Sequence, residues 1–187
     1  MEERIVGPDP VAEPDAYAQA LLDLLGGRDA LEVLRTTPQR FTELCRRLWI
    51  PVQGGPARLD EDRVHLRPAE GEWSVAELLA HLFDAEVAYS FRWRVTLAQE
   101  APVYPGYDQE AWITLAHPPF PELLTAFVSL RRANVTLITS IPRETDPVGH
   151  HEERGEEPFW RSVHLVAGHD LAHLEQLAQT LAVVAAS

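Results

Sequence analysis

The chain has 187 residues, 45% of them hydrophobic, and its 29 acidic and 16 basic side chains leave a formal net charge of −13. One domain of that length buries a full core without disulfide or metal staples. The acidic balance disfavours phosphate backbones and anionic lipid as partners, and no run reaches the roughly 20 apolar residues that span a bilayer.

Met1-Glu2-Glu3-Arg4 is followed by no apolar run of the signal-peptide kind, so a cytoplasmic protein is expected. Gly7-Pro8-Asp9-Pro10 reads as an extended lead-in, and a short helix is predicted over 15–25, stopped by Gly26-Gly27. Residues 1–28 thus form an N-terminal lead-in with one short extra helix, and residues 29–187 form the main domain. A short turn over 29–34 leads to Thr37-Pro38, where threonine is expected to cap and proline to open the first core helix. That helix runs to 48, with Phe41, Leu44, Cys45 and Leu48 on one face. Cys45, the single cysteine, fits a reducing compartment and a buried thiol rather than a nucleophile.

The segment 51–71 is a loop broken by Gly54-Gly55-Pro56 and by Pro68 and Gly71. After it, Trp73-Ser74-Val75-Ala76-Glu77-Leu78 carries a capping box between Ser74 and Glu77, with Trp73 packing on Leu78 as a hydrophobic staple. The second helix continues to about 98 on the stripe Leu78, Leu82, Ala85, Tyr89, Trp93. Residues 102–119 form a long crossover containing a short helix near 108–115, which lets a bundle depart from simple up-and-down order. A third helix over 121–140 buries Leu123, Phe127, Leu130, Leu137 and Ile138. A polar loop over 142–157 precedes a fourth helix over 158–184 with Val163, Ala167, Leu174, Leu177 and Leu181 inward. No repeat and no alternating strand pattern stands out. The predicted fold is an all-α four-helix bundle.

His169 and His173, in Gly168-His169-Asp170-Leu171-Ala172-His173, lie four residues apart and stack on one side of a helix, close enough to share a metal. His81 holds a similar stripe-edge position on the second helix, and three histidines with an open position are the pattern of catalytic zinc sites. By spacing alone two readings stay open: a metal site, or half-buried histidines bonded to neighbours. His65 and His117 are expected to be solvated. His164 points away from the His169 side, and His150-His151 precede the fourth helix, where two readings stay open: an exposed polar pair, the commoner case, or proton shuttles folded over the site.

Gly71-Glu72-Trp73-Ser74-Val75-Ala76-Glu77-Leu78-Leu79-Ala80-His81-Leu82, followed by Asp84, Glu86, Tyr89 and Arg94, resembles the second-helix signature of the DinB/YfiT-like family. Pro105-Gly106-Tyr107-Asp108-Gln109 resembles that family's crossover segment, and His169-Asp170-Leu171-Ala172-His173 with Gln176 its last-helix histidine motif. The likeness covers about residues 29–181. Many members pair two histidines at the end of the last motif, where Ala172 stands here before His173. The resemblance implies a four-helix bundle with a divalent metal, zinc or nickel, on His81, His169 and His173. It also implies activities that differ among members: transfer to low-molecular-weight thiols such as bacillithiol or mycothiol, maleylpyruvate isomerisation, or metal-dependent hydrolysis.

Such a metal acidifies bound water or thiol, so the ligand set does not choose between hydrolysis and thiol transfer. Asp84 and Glu77 share the flank of His81 and are candidates to orient it, capping being the stronger role for Glu77. Asp170 falls inside the apolar stripe, where a carboxylate needs a partner. Arg92, Arg94 or a histidine would serve, as would a rotation of the helix that exposes it. Asp84, Asp170, His150 and His151 are therefore the acid–base or orienting candidates, Asn134 reads as a satisfied core amide, and Trp93, Trp112 and Trp160 are pocket candidates. The leading expectation is a metal-dependent transferase or hydrolase acting on a small molecule, and the rival a non-catalytic metal-binding stress or ligand-binding protein closed by a fourth ligand from Glu86 or His150. A homodimer through helix faces is compatible with either.

Overall fold

The computed structural model describes residue 8 and residues 12–185; the lead-in expected through Pro10 lies, apart from Pro8, outside the described residues. The first described helix, α1 (Pro14–Leu25), ends as the glycine pair requires. Gly26 takes a left-handed φ of 59° and returns its N–H to the Leu22 carbonyl.

The second helix departs from expectation. The turn over 29–34 and the helix from Thr37 merge into one element, α2 (Ala30–Cys45), capped by Asp29, whose carboxylate accepts from the Glu32 amide at 3.0 Å. Thr37 does not cap, because its hydroxyl turns back to the Val33 carbonyl at 2.9 Å. Pro38, inside the helix, has no N–H for the Leu34 carbonyl. That carbonyl is satisfied from outside by the Arg131 guanidinium, Nη1 donating at 3.2 Å. A side chain from α6 (Phe120–Thr139) thus repairs the defect that made proline look like a helix start.

A 3₁₀ turn (Arg46–Leu48) leads to a short antiparallel pair, β1 (Trp49–Ile50) and β2 (Arg58–Leu59), then to α3 (Glu61–His65) inside the segment read as loop. The long helix α4 (Val75–Ala98) starts at the expected capping box: the Ser74 amide donates to Glu77 Oε2 at 2.8 Å, and Glu77 N–H to Ser74 Oγ at 3.3 Å. The crossover holds β3 (Val103–Tyr104) and α5 (Gln109–Ile113), the latter capped by Asp108. After α6 (Phe120–Thr139), β4 (Val148–His151) pairs in parallel with β3 and antiparallel with β5 (Gly155–Pro158), just before α7 (Phe159–Val184). Strands of two to four residues are too short to print a period on the sequence. Their sheet ties the crossover to the loop before α7.

α2, α4, α6 and α7 form the bundle. One core layer joins Phe41, Leu78, Phe127 and Leu177, and a second joins Leu34, Trp93, Ile138 and Val163. Each such buried apolar side chain contributes roughly 1.5–3 kcal/mol. α1 lies against α7 through Ala18, Leu21, Leu165 and Ala172. Gly168 makes this approach possible, since a Cβ there would stand 2.2 Å from the Leu21 carbonyl oxygen. Among the described residues no helix is long and apolar enough to cross a membrane.

Candidate metal centre

His81 on α4 is flanked by the buried Leu78 and Leu82, so core packing sets its position. His169 and His173 project from successive turns of α7 toward it. The His169 Nε2 lies 2.9 Å from His81 Nε2 and 3.1 Å from His173 Nε2, and the candidate ligand atoms of all three residues fall within 4.8 Å of one another. His81 and His173 are buried; His169 is half-buried.

Three ring nitrogens brought this close form a donor set that could hold a metal ion. Burial pushes the pKa of all three histidines below the ordinary imidazole range. The His173 ring lowers His81 and His169 further, whereas Gln176 and Asp170 oppose the shift at His173. Each shift favours the uncharged ring, the form that can ligate a metal. His173 Nδ1 lies 2.9 Å from Gln176 Oε1, an acceptor, so its proton sits on Nδ1 and its Nε2 presents a lone pair to the cluster. Tetrahedral zinc with nitrogens at roughly 2.0–2.1 Å spaces its ligands about 3.3 Å apart. The two separations from His169, 2.9 and 3.1 Å, are close to that, so the donor set fits a divalent cation.

Around the cluster the chain supplies a wall and a brace. The Trp73 ring centroid stands 4.8 Å from that of His81 and 6.2 Å from that of His173. Besides starting its helix and packing on the core, this indole thus shields one side of the cluster. The brace answers the problem of Asp170, which is 1% exposed. Its partner is none of Arg92, Arg94 or a histidine, and the helix has not rotated. Arg131 from α6 grips both carboxylate oxygens, Nη2 donating to Oδ1 at 3.1 Å and Nη1 to Oδ2. The same guanidinium donates from Nε to Glu86 Oε2 at 2.7 Å. Glu86 accepts from Asn134 Nδ2 at 2.7 Å, and Asn134 Oδ1 accepts from Ser90 and Arg94. Burial works against the Arg131 charge, but Asp170 and Glu86 hold its pKa above the ordinary value. Glu86 is thereby committed to the brace, not to the histidines, while Asn134 is the satisfied core amide expected.

The other candidates disperse. Asp84 accepts from His117 Nε2 at 3.1–3.2 Å instead of touching His81, so His117 is half-buried rather than solvated. Burial raises the Asp84 pKa, and His117 opposes the shift. Glu77 caps its helix and also pairs with Arg67. His150 and His151 sit in β4 rather than over the cluster. His151 Nε2 lies 3.2 Å from Arg92 Nη2, and burial, with Arg154 and Arg92 adding to it, drives its pKa down to about 3.

A cavity of about 520 Å³ reaches His169 and is lined by Tyr17, Tyr89, Arg92, Tyr107 and Arg154 among others. The expected pocket tryptophans are absent from its walls. Trp93 is 1% exposed and spends its indole N–H on Ser162 Oγ. Trp160 packs on Phe159 and donates to the Thr145 carbonyl. Trp112 stands behind Tyr107, ring centroids 4.6 Å apart. Bulk at helix-stripe positions put two tryptophans in the core, and the tyrosines took the wall because a phenol tolerates a wet edge. A second hollow of about 540 Å³ between α2 and α6 touches none of the three histidines.

Arg131 and Tyr17 were not singled out from the sequence, and Gln176 entered only as part of the histidine motif, without a role. Arg131 was legible as a charge at the buried spacing Phe127, Arg131, Asn134, Ile138, and Gln176 as the residue one turn beyond His173. Tyr17 left no local trace, because its place on the wall depends on how α1 docks.

Residues 33–177 match the family model described as the DinB superfamily. The chain is 25% identical over 129 residues to a protein of Bacillus mycoides, across 66% of this chain and 75% of that one, and 25% identical over 123 residues to one of Oceanobacillus iheyensis, across 64% and 70%. Both of those proteins are named, by inference, as metal-dependent hydrolases. The solved structure of YfiT from Bacillus subtilis, described as a probable metal-dependent hydrolase with an unusual four-helix bundle topology, superposes with a TM-score of 0.67. That match has 17% identity and covers 82% of this chain and 86% of YfiT, so it speaks to the fold.

Proposed function

Because the chain belongs to the DinB superfamily, we propose that it is a metal-dependent hydrolase of a small molecule, with His81, His169 and His173 holding one divalent ion. The observation that carries this reading is the convergence of three imidazoles, one of which, His169, lines a cavity large enough for a small ligand. Imidazole donors suit zinc or nickel. A divalent ion there would polarise a substrate carbonyl or phosphoryl oxygen and make water a nucleophile near neutral pH.

The chain's own groups have separable tasks. Gln176 holds the His173 ring in the tautomer that offers Nε2. Trp73 keeps water from one side of the cluster. The Arg131 brace fastens α7, beside His169, to α4 and α6. Burial raises the Tyr17 phenol to about 12 and moves Tyr89 and Tyr107 upward as well, so the cavity tyrosines stay neutral and donate hydrogen bonds.

Elemental analysis of tag-free protein tests the reading first. About one equivalent of zinc or nickel is expected in wild type and almost none in His173→Ala. The loaded protein should then hydrolyse members of an ester, amide and phosphoester panel, with and without added bacillithiol or mycothiol. Turnover only with the thiol would replace hydrolysis by thiol transfer, and metal without turnover in either arm would leave a binding protein. Wild type that takes up no metal would end the proposal.

A further inference from the structure

Arg92 is the one cavity-lining residue that combines a full charge with deep burial, at 4% exposure. A buried guanidinium ordinarily requires a carboxylate, as Arg131 has two. Among the described residues Arg92 forms no ion pair. Its Nη2 donates to the Pro105 carbonyl at 2.9 Å and lies against neutral His151. Its Cζ stands 5.2 Å from the ring centre of Tyr89, 5.4 Å from Tyr104 and 5.7 Å from Tyr107. Carbonyl, imidazole and ring faces stabilise the cation without neutralising it. The other cavity arginine differs: Arg154 is exposed and donates to Glu157 at 2.8 Å.

We propose that Arg92 binds the carboxylate of a substrate that carries a single negative charge and an apolar or aromatic body. The proposal rests on the hydrolase reading in placing the substrate's reactive group toward His169. A guanidinium matches a planar carboxylate better than it matches a point anion. Leu21, Ala85, Leu165 and Val166 supply an apolar wall, and Tyr17 and Tyr107 supply aromatic edges. Exposed Asp108, Glu110 and Glu153 also line the cavity, and their negative charge selects against a polyanion. The acidic surface and the lone buried cation together favour one headgroup.

Calorimetric titration of the full zinc-incubated chain with benzoate and its neutral counterpart benzamide tests this, with bound metal measured in every sample. Wild type is expected to prefer benzoate about tenfold or more, the scale of one charge-assisted contact. Arg92→Gln abolishes the preference, Arg92→Lys reduces it severalfold, and Arg154→Gln retains it. Metal-free His173→Ala protein also retains it, so the anion site and the metal reading fail separately. Equal binding of the two probes by wild type overturns the assignment. So does a preference that survives Arg92→Gln and disappears with the metal, since the carboxylate then sits on the ion. Should Arg92→Gln not fold, undiminished benzoate affinity in Arg92→Lys, or loss in Arg154→Gln, overturns it equally.

Discussion

Gln176 touches the histidine cluster directly, through His173, and Arg131 reaches it only through Asp170, so each controls a different property of it. Gln176 fixes one proton by accepting from His173 Nδ1. Gln176→Leu is expected to weaken zinc affinity by roughly 10–100-fold, read by competition with a chromophoric chelator, with little change in far-UV circular dichroism. Arg131 instead neutralises two buried carboxylates. Arg131→Met leaves Glu86 and Asp170 facing each other without a cation and removes the donor to the Leu34 carbonyl. A loss of about 3–5 kcal/mol in urea unfolding is expected, large enough to threaten folding. The contrast between the two variants separates positioning a ligand from holding the bundle together.

Among the elements, α1 is the one whose role least follows from its own residues. It precedes the family match, which begins at residue 33, and still furnishes Tyr17 and Leu21 to the cavity. Its seat is the notch at Gly168, one residue before His169. Gly168→Ala places a methyl group against the Leu21 backbone, where no side chain can swing aside. A destabilisation of about 1–3 kcal/mol is expected. Hydrogen exchange should localise the change: α1 amides lose protection while those of α4 keep theirs. Uniform loss across the bundle would show that α1 and the core unfold as one unit.

For the whole molecule the buried histidines make stability depend on pH in a direction that can be worked out. Their folded pKa values lie below the unfolded value of about 6.5. Between those values the unfolded chain binds more protons than the folded one, so stability rises with pH through that window. The contribution is complete above about pH 6.5 and is lost as the pH falls. His151 adds to the same slope from about 6.5 down to about 3. Metal-free protein should therefore melt at progressively lower temperature from pH 7.5 to pH 5. The metal-loaded form should fall more steeply, because protons also displace the ion. A melting temperature flat over that range would mean that the rings are protonated in the folded state.

The capping box at Ser74, the apolar stripes of the four long helices and the four-residue spacing of His169 and His173 were all legible in the chain, because each depends on neighbours within one or two helical turns. Those local rules determined an all-α bundle and placed His169 and His173 on one helix face. They misplaced Pro38, whose defect is repaired by Arg131, and the partners of Asp84 and Asp170, which arrive from residues more than thirty positions away. The cavity was equally out of reach, since α1, α4, the crossover and α7 build it jointly. Only the tertiary structure decided which charges meet and which aromatic rings face the cavity, because burial leaves a polar group dependent on whatever side chain the packing brings within hydrogen-bond distance.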